Sequence, residues 1–313
     1  MTKSARRTFL KYSALAASGF ASRSVFTSIA DGANAFSQTA SGTQFFAQAN
    51  NCPEVIAHRG GDGQWPGETM YAMRHAKEIG VDVLEMDVYL TKDDQLVLMH
   101  DNSPASTTEL GLTKGLKPVS DFTLAELQRL NAGYEWGKKH NETKFFQPED
   151  KDKQDLRVPT LREVFTAFPH LRMNIEMKKA SRSPVAALGR LIADCGMADN
   201  VLVASLVDSF IVDFRSQNKN VATSASLRES IAYLFQNKHP NAQAIQIGPE
   251  ILTRLGVLTH KRVDRAHSDG LQVHTWTTNN LENMMKMKSI EVDGIITDFP
   301  GPLLGLLNRT KPA

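Results

Sequence analysis

Cysteine is scarce in this 313-residue chain, which has two, Cys52 and Cys195. Two thiols exclude a disulfide framework and a cysteine-built zinc site; one bridge in an oxidising compartment or two free thiols remain, and free thiols are the simpler reading. Net charge is small as well, +2 from 36 basic and 34 acidic residues, and without a concentrated basic face nothing electrostatic favours nucleic acid. No glycine-rich dinucleotide fingerprint follows any strand-like run. Acidic residues are absent before Asp31, and the weakly apolar run there, Tyr12 to Ala21, is too short to span a bilayer and is stopped by Arg23. Apolar residues are plentiful: at 41% hydrophobic, the chain can bury a large core.

The acid-free start carries Arg6-Arg7-Thr8-Phe9-Leu10-Lys11 ahead of that run. It resembles a bacterial twin-arginine export signal, although Ala5 stands where Ser or Thr is commoner. Ala33-Asn34-Ala35 offers a small-x-small cleavage site. The expectation is a leader over 1–35, handled by the twin-arginine export machinery, and a short linker over 36–51. The protein would then be periplasmic or secreted, with no lipid anchor and no stable membrane insertion. A disordered tail and an organellar transit peptide are the competing readings.

From residue 52 onward, apolar runs alternate with helical periodicity. Strand-like runs begin near 55, 83, 172, 201, 221, 244, 271 and 294, with helical patterns between them. Eight such units predict an α/β fold, a (β/α)8 TIM barrel, in a domain over 52–313. The segment 102–159 breaks the alternation. It is predicted to be an inserted loop after a β-hairpin, with one helix near Thr123 to Leu130 and a solvated charge run around Glu149 to Lys153. The hairpin joins Val83–Leu90 to Leu96–His100. Pairing Thr91 with Leu96 would set Asp87 opposite His100, with Glu85 on the same face.

Ionisable residues mark the strand ends: His58 and Arg59 in His-Arg-Gly, Glu85 and Asp87 in Glu-x-Asp, His100 in His-Asp, then Glu176 and Lys178. Such groups are costly to bury unless paired or bound to a cation. Clustered carboxylates repel, and a hard divalent ion relieves that repulsion; all-oxygen donors favour Ca²⁺ or Mg²⁺ over zinc. The bland alternative pairs Glu176 with Lys178, two residues along the same strand face. Histidine titrates near neutrality and suits proton transfer.

The ordered set His-Arg-Gly, Pro and Thr, Glu-x-Asp, Thr-x-Asp and His-Asp resembles the glycerophosphodiester phosphodiesterase family, over roughly Val55 to Pro300. The resemblance implies metal-dependent hydrolysis of a small glycerophosphodiester to sn-glycerol 3-phosphate and an alcohol. It implies Glu85, Asp87 and Glu176 as ligands of a divalent metal, Ca²⁺ or Mg²⁺, and His58 and His100 as the acid–base pair. Arg59 and Lys178 would bind phosphate, and Trp276 would be a pocket aromatic, with ordinary packing as its alternative. His274 shares a strand face with Trp276 and fits core packing better. Gln246 and Asp298 lie near strand ends. The family's Pro-Glu-Asn-Thr is Pro66-Gly67-Glu68-Thr69 here, which leaves the part played by Glu68 open. Two other functions are compatible with the barrel. One is a lipid-headgroup phospholipase D of the sphingomyelinase D type, which would want an apolar loop where this chain has a charged one. The other is a noncatalytic cell-envelope binding module.

Overall fold

The structure is a computed structural model that describes residues 44–49, 53–112, 117–248 and 258–309. The expected leader, most of the linker and Cys52 lie outside the described residues; the Cys195 thiol accepts from Arg162 at 3.7 Å. A short helix, α1 (Gln44–Ala47), precedes β1 (Glu54–Ala57), and α2 (Met70–Ile79) follows it. Thr69 caps α2 by accepting the Ala72 N–H at 3.1 Å, a contact worth about 1 kcal/mol. Gly80 closes the helix at φ 88°, a left-handed turn that favours glycine.

The hairpin of β2 (Val83–Leu90) and β3 (Leu96–Leu98) forms as expected, but its register is one residue off the sequence expectation. Thr91 N–H bonds Gln95 C=O inside the turn, so Leu90 pairs Leu96 and Val88 pairs Leu98. Asp87 therefore meets Met99, whose N–H bonds the Asp87 carbonyl at 3.0 Å. His100 leaves the ladder after β3 ends and does not sit opposite Asp87.

The insertion is more structured than expected. It holds α3 (Leu124–Leu127), α4 (Tyr134–His140), α5 (Thr143–Phe146) and α6 (Asp150–Leu156), ahead of α7 (Leu161–Ala167). Its own apolar cluster joins Val119, Leu127, Ala132 and Val158 to Tyr89, Val97 and Met99 of the hairpin. The charge run lies largely on the exposed side of α6, as expected, while Leu156 is buried beneath it. Trp136 Nε1 donates to the Asp62 carbonyl at 2.6 Å, fastening α4 to the loop after β1.

The remaining elements alternate: β4 (Arg172–Met177), α8 (Val185–Asp194), β5 (Val201–Ala204), α9 (Asp208–Gln217), β6 (Ala222–Thr223), α10 (Leu227–Gln236), β7 (Ala244–Ile247), α11 (His260–Ser268), β8 (Gln272–Thr275), α12 (Leu281–Ser289), β9 (Gly294–Thr297) and α13 (Pro300–Leu306). The parallel strands run in the order β6-β5-β4-β2-β1-β9-β8-β7. One parallel bridge, Ser224 to Ala244, brings the two ends together. This nearly closed ring is the expected (β/α)8 barrel. Its main core lies between strands and helices, from Val55 and Leu84 to Val273 and Leu303. A second cluster, including Ile56, Val83, Leu202, Ala244 and Ile296, fills the ring itself, and Phe45 of α1 joins it.

Phe45 is 1% exposed, and burying such a ring contributes about 2–3 kcal/mol. The Arg172 guanidinium lies 5.2 Å from its centroid and donates to its carbonyl at 3.4 Å. Arg172 also pairs with buried Glu54. Glu54 and Arg172 begin β1 and β4, so this pair marks the floor of the barrel. Among the described residues no helix is long and apolar enough to cross a membrane.

Candidate active site

At the opposite end, β1 runs into a tight turn in which Arg59 (φ 52°), Gly60 (φ 79°) and Gly61 (φ 104°) are all left-handed. A Cβ on Gly60 would sit 2.9 Å from Ala72 Cβ, so the turn packs directly on α2. The turn sets His58 facing the strand ends. Its Nδ1 lies 2.5 Å from Asp298 Oδ1, just past β9, and Nε2 lies 3.9 Å from Glu85 Oε2. Asn279 holds Asp298 in turn, donating to Oδ2 at 2.5 Å and accepting the Asp298 N–H at 2.9 Å. Burial lowers the affinity of the His58 ring for a proton, but Glu85 and the Asp298 hydrogen bond more than reverse this, and its pKa is raised.

The carboxylates come from two neighbouring strands. Glu85 and Asp87 are two apart on β2, so both point the same way. Glu176 of β4 pairs in register with Asp87. One oxygen from each of the three lies within 4.8 Å of the others. Burial first, then the charge of Asp87, pushes Glu85 up to about 7 and raises Glu176. Lys178 bridges the pair, with Nζ 3.2 Å from Asp87 Oδ1 and 3.3 Å from Glu176 Oε1. The Glu176–Lys178 contact thus exists alongside the cluster rather than in place of it. Arg59 donates its backbone N–H to Glu85 at 2.8 Å. Its Nε stands 3.2 Å from Asp87 Oδ2, yet neither atom makes a well-aligned hydrogen bond, and both are buried. Carboxylates of which Glu85 and Glu176 are pushed up by the Asp87 charge, while Asp87 Oδ2 lacks a donor, fit a hard divalent cation.

Glu68, left open by the sequence, is 3% exposed and has φ 58°. Its Oε1 accepts the Asp87 N–H at 2.9 Å, while Oε2 has no partner. Burial, followed by Asp87 and Glu85, raises its pKa well above the usual range. It acts on the β2 backbone beneath the cluster.

His100 stands at the same end, half-exposed, with Nδ1 2.9 Å from Asp101 Oδ1, near enough to Glu176 to offset a little of the rise in that group's pKa. Trp276, past β8, is half-buried and lines a cavity of about 130 Å³ together with His58, Glu85, Asn174, Glu176 and Gln246. His274 lies deeper and is 1% exposed. Its Nδ1 faces Gln246 Nε2 at 3.4 Å. Burial, with Arg172 adding to it, pushes its pKa down to about 3, so the ring is neutral core.

The structure therefore gathers His58, Arg59, Glu85, Asp87, Glu176 and Lys178, with Trp276 on the cavity wall and His100 at the rim. Sequence reasoning missed Asn279. It sits among Thr277, Thr278 and Asn280, where a polar run reads as a helix cap, and Asn280 is indeed the cap of α12.

A model of the glycerophosphoryl diester phosphodiesterase family matches residues 58–302. The glycerophosphodiester phosphodiesterase of Caldanaerobacter subterraneus is 30% identical over 261 residues, covering 82% of this chain and 98% of that protein. That of Bacillus altitudinis is 30% identical over 272 residues, covering 82% and 99%. Among solved structures, an Oleispira antarctica phosphodiesterase in complex with the product sn-glycerol-3-phosphate aligns with a TM-score of 0.65 at 22% identity, covering 82% of this chain and 97% of that one.

Proposed function

The chain belongs to the glycerophosphoryl diester phosphodiesterase family, and from that premise we propose that it hydrolyses glycerophosphodiesters to sn-glycerol 3-phosphate and an alcohol at the barrel mouth. One observation carries the reading: oxygens of buried Glu85 and Asp87 and of half-buried Glu176 converge beside a histidine that Asp298 holds by its far nitrogen. Phosphodiester hydrolysis needs a proton taken from the attacking oxygen and another given to the departing one. His58 suits this work, because Asp298 fixes its ring and leaves Nε2 towards the cavity. His100, at the rim and backed by Asp101, is the second proton-transfer group.

Negative charge builds on the nonbridging phosphate oxygens as the new bond forms. Arg59 and Lys178 supply fixed positive charge there, Arg59 through a planar fork and Lys178 as a point charge. Trp276 closes the wall against which the alcohol rests. Glu85, Asp87 and Glu176 would hold a divalent cation, Ca²⁺ or Mg²⁺, and when bound it polarises phosphate and lowers the pKa of an attacking hydroxyl. Glu68 keeps the β2 backbone, and with it Asp87, in place. The acid-free leader with Arg6-Arg7 supports export by the twin-arginine route, so the substrate would be met outside the cytoplasm.

The test is release of sn-glycerol 3-phosphate from glycerophosphocholine, in EDTA and with Ca²⁺ or Mg²⁺ restored. Activity is expected with metal, falling about 10²–10⁴-fold in His58→Ala and to background in Glu85→Ala. A folded, metal-loaded protein that is inert on every small glycerophosphodiester would overturn the reading in favour of a noncatalytic binding module.

A further inference from the structure

The insertion reaches the mouth of the barrel through the peptide that joins Asp62 to Gly63. Trp136 of α4 donates its indole N–H to the Asp62 carbonyl at 2.6 Å. The N–H of the same peptide, on Gly63, donates to the Asp298 carbonyl at 3.0 Å, and Asp298 is the residue that holds the His58 ring. The Asp62 side chain faces the site as well. Its Oδ2 lies 3.4 Å from Arg59 Nη1, and its Oδ1 accepts the Gly67 N–H at 3.1 Å. The loop has little slack: a Cβ on Gly63 would sit 2.5 Å from the Phe299 ring, and one on Gly67 2.5 Å from Asp62 Oδ1. A shift at Asp62 is therefore passed on to its neighbours rather than absorbed. Trp136 is itself wedged, stacked on His140 at 3.9 Å and edge-on to Phe145 at 5.1 Å. Attachment alone does not call for a bond at this peptide, since an apolar cluster and the Arg74–Asp155 pair at 3.0 Å already tie the insertion to the barrel.

We propose that Trp136 is a positioning residue for the reaction: its indole N–H fixes the Asp62 peptide, and the Asp62 carboxylate then holds the Arg59 guanidinium in the plane that meets phosphate. This rests on the phosphodiesterase reading and deepens it, because it makes the insertion a working part of the phosphate site. Arg59 is gripped at two edges, with Nε 3.2 Å from Asp87 Oδ2 and Nη1 facing Asp62. That leaves Nη2 without a partner among the described residues, free for a nonbridging oxygen. A guanidinium presents its donors in a fixed plane, so its tilt matters in a way that a point charge's does not. Asp87 alone fixes one edge and lets the plane swing. Asp62 supplies the second point, and Trp136 sets where that point lies. Charge on the nonbridging oxygens grows as the new bond forms, so a misaligned Arg59 should lower kcat more than it raises KM.

The experiment measures kcat and KM on glycerophosphocholine, using the full chain with Ca²⁺ or Mg²⁺, alongside denaturant midpoints. Trp136→Phe keeps an aromatic ring between His140 and Phe145 and removes the N–H donor. It should lower kcat about tenfold, between the roughly fivefold worth of one net hydrogen bond and the roughly hundredfold cost of a displaced group, and leave KM nearly unchanged. Asp62→Asn keeps both acceptors but loses the charge facing Arg59, and should cost about as much. Both act on one chain of contacts, so the double variant should lose about tenfold rather than a hundredfold. Arg74→Ala, which cuts the pair between α2 and α6 and loosens the insertion elsewhere, should leave kcat intact. Wild-type kcat in either single variant overturns the inference, and Asp62→Asn alone decides if Trp136→Phe does not fold. Losses that multiply in the double variant also overturn it, as does an equal loss in Arg74→Ala, which would make the tie a matter of stability alone. If the wild type is inert on every small glycerophosphodiester, the phosphodiesterase reading falls and takes this inference with it.

Discussion

The two ends of the barrel bury charge by opposite rules. At the floor, Glu54 and Arg172 form one carboxylate–guanidinium pair, 2% and 6% exposed, beneath Phe45. At the mouth, Glu68, Glu85, Asp87 and Glu176 crowd against Arg59 and Lys178, and oxygens of Glu68 and Asp87 lack hydrogen-bond donors. The same strands serve both ends, since β4 begins with Arg172 and carries Glu176 five-sixths of the way along. Charge balance at the floor supports the fold. Imbalance at the mouth is held in place by the rest of the barrel and leaves the carboxylates short of positive charge, a condition that suits a cation and an anionic substrate.

Removing one floor partner is the most severe way to break this contrast. Arg172→Met should destabilise the protein by about 3–5 kcal/mol, because it strands the Glu54 charge in a dry site. Replacing both, as Glu54→Leu with Arg172→Met, should recover much of the loss. Denaturant midpoints measure this, and equal stability of the single and double variants would show that the floor is not a matched pair.

The mouth should respond in the other direction. Glu85 folded has its pKa pushed up to about 7, above the unfolded value of 4.5. The folded state therefore holds that proton more tightly, and metal-free stability should fall as pH rises from about 4.5 through 7. Ca²⁺ or Mg²⁺ at a hundred times its Kd should restore about 2.7 kcal/mol. Calorimetry with and without the ion, on the wild type and on Glu85→Gln with Glu176→Gln, provides the check. An equal shift in both proteins would put the ion elsewhere.

His274, between floor and mouth, has the smallest expected effect at neutral pH, where the folded and unfolded chains both leave it mostly neutral. Its folded pKa of about 3 is below the unfolded 6.5, so only the unfolded chain takes up its proton as acid is added. Stability should drop as pH falls below 6.5, by about 1.4 kcal/mol per pH unit for this one proton. His274→Gln should lose that much of the slope. Unchanged slopes would mean that the ring is protonated in the native state.

Much of this was legible because buried parallel strands are written as continuous apolar runs. Ala244–Ile247 and Gly294–Thr297 begin where the sequence reading starts its runs near 244 and 294. The carboxylates and His58 could be found because ionisable residues interrupt such runs at their ends. The hairpin register could not, because Asp94 turns left-handed at φ 62° and lets Thr91 close on Gln95, a choice that apolar alternation does not encode. The helices α4 to α6 are four to seven residues long, too short for a 3.6-residue period to show. Asn279 and the tie from Trp136 to Asp62 depend on which loops and faces meet at the mouth, which no local pattern records.

Phe45 also bears on how the N-terminus can be trimmed. Cleavage after Ala35 would leave α1 attached, whereas a cut beyond Phe45 would uncork the barrel and let water reach the Glu54–Arg172 pair. A chain clipped that far would lose stability at the floor while every residue of the mouth remained. The seal at Phe45 thus sets the shortest N-terminus with which the floor stays dry.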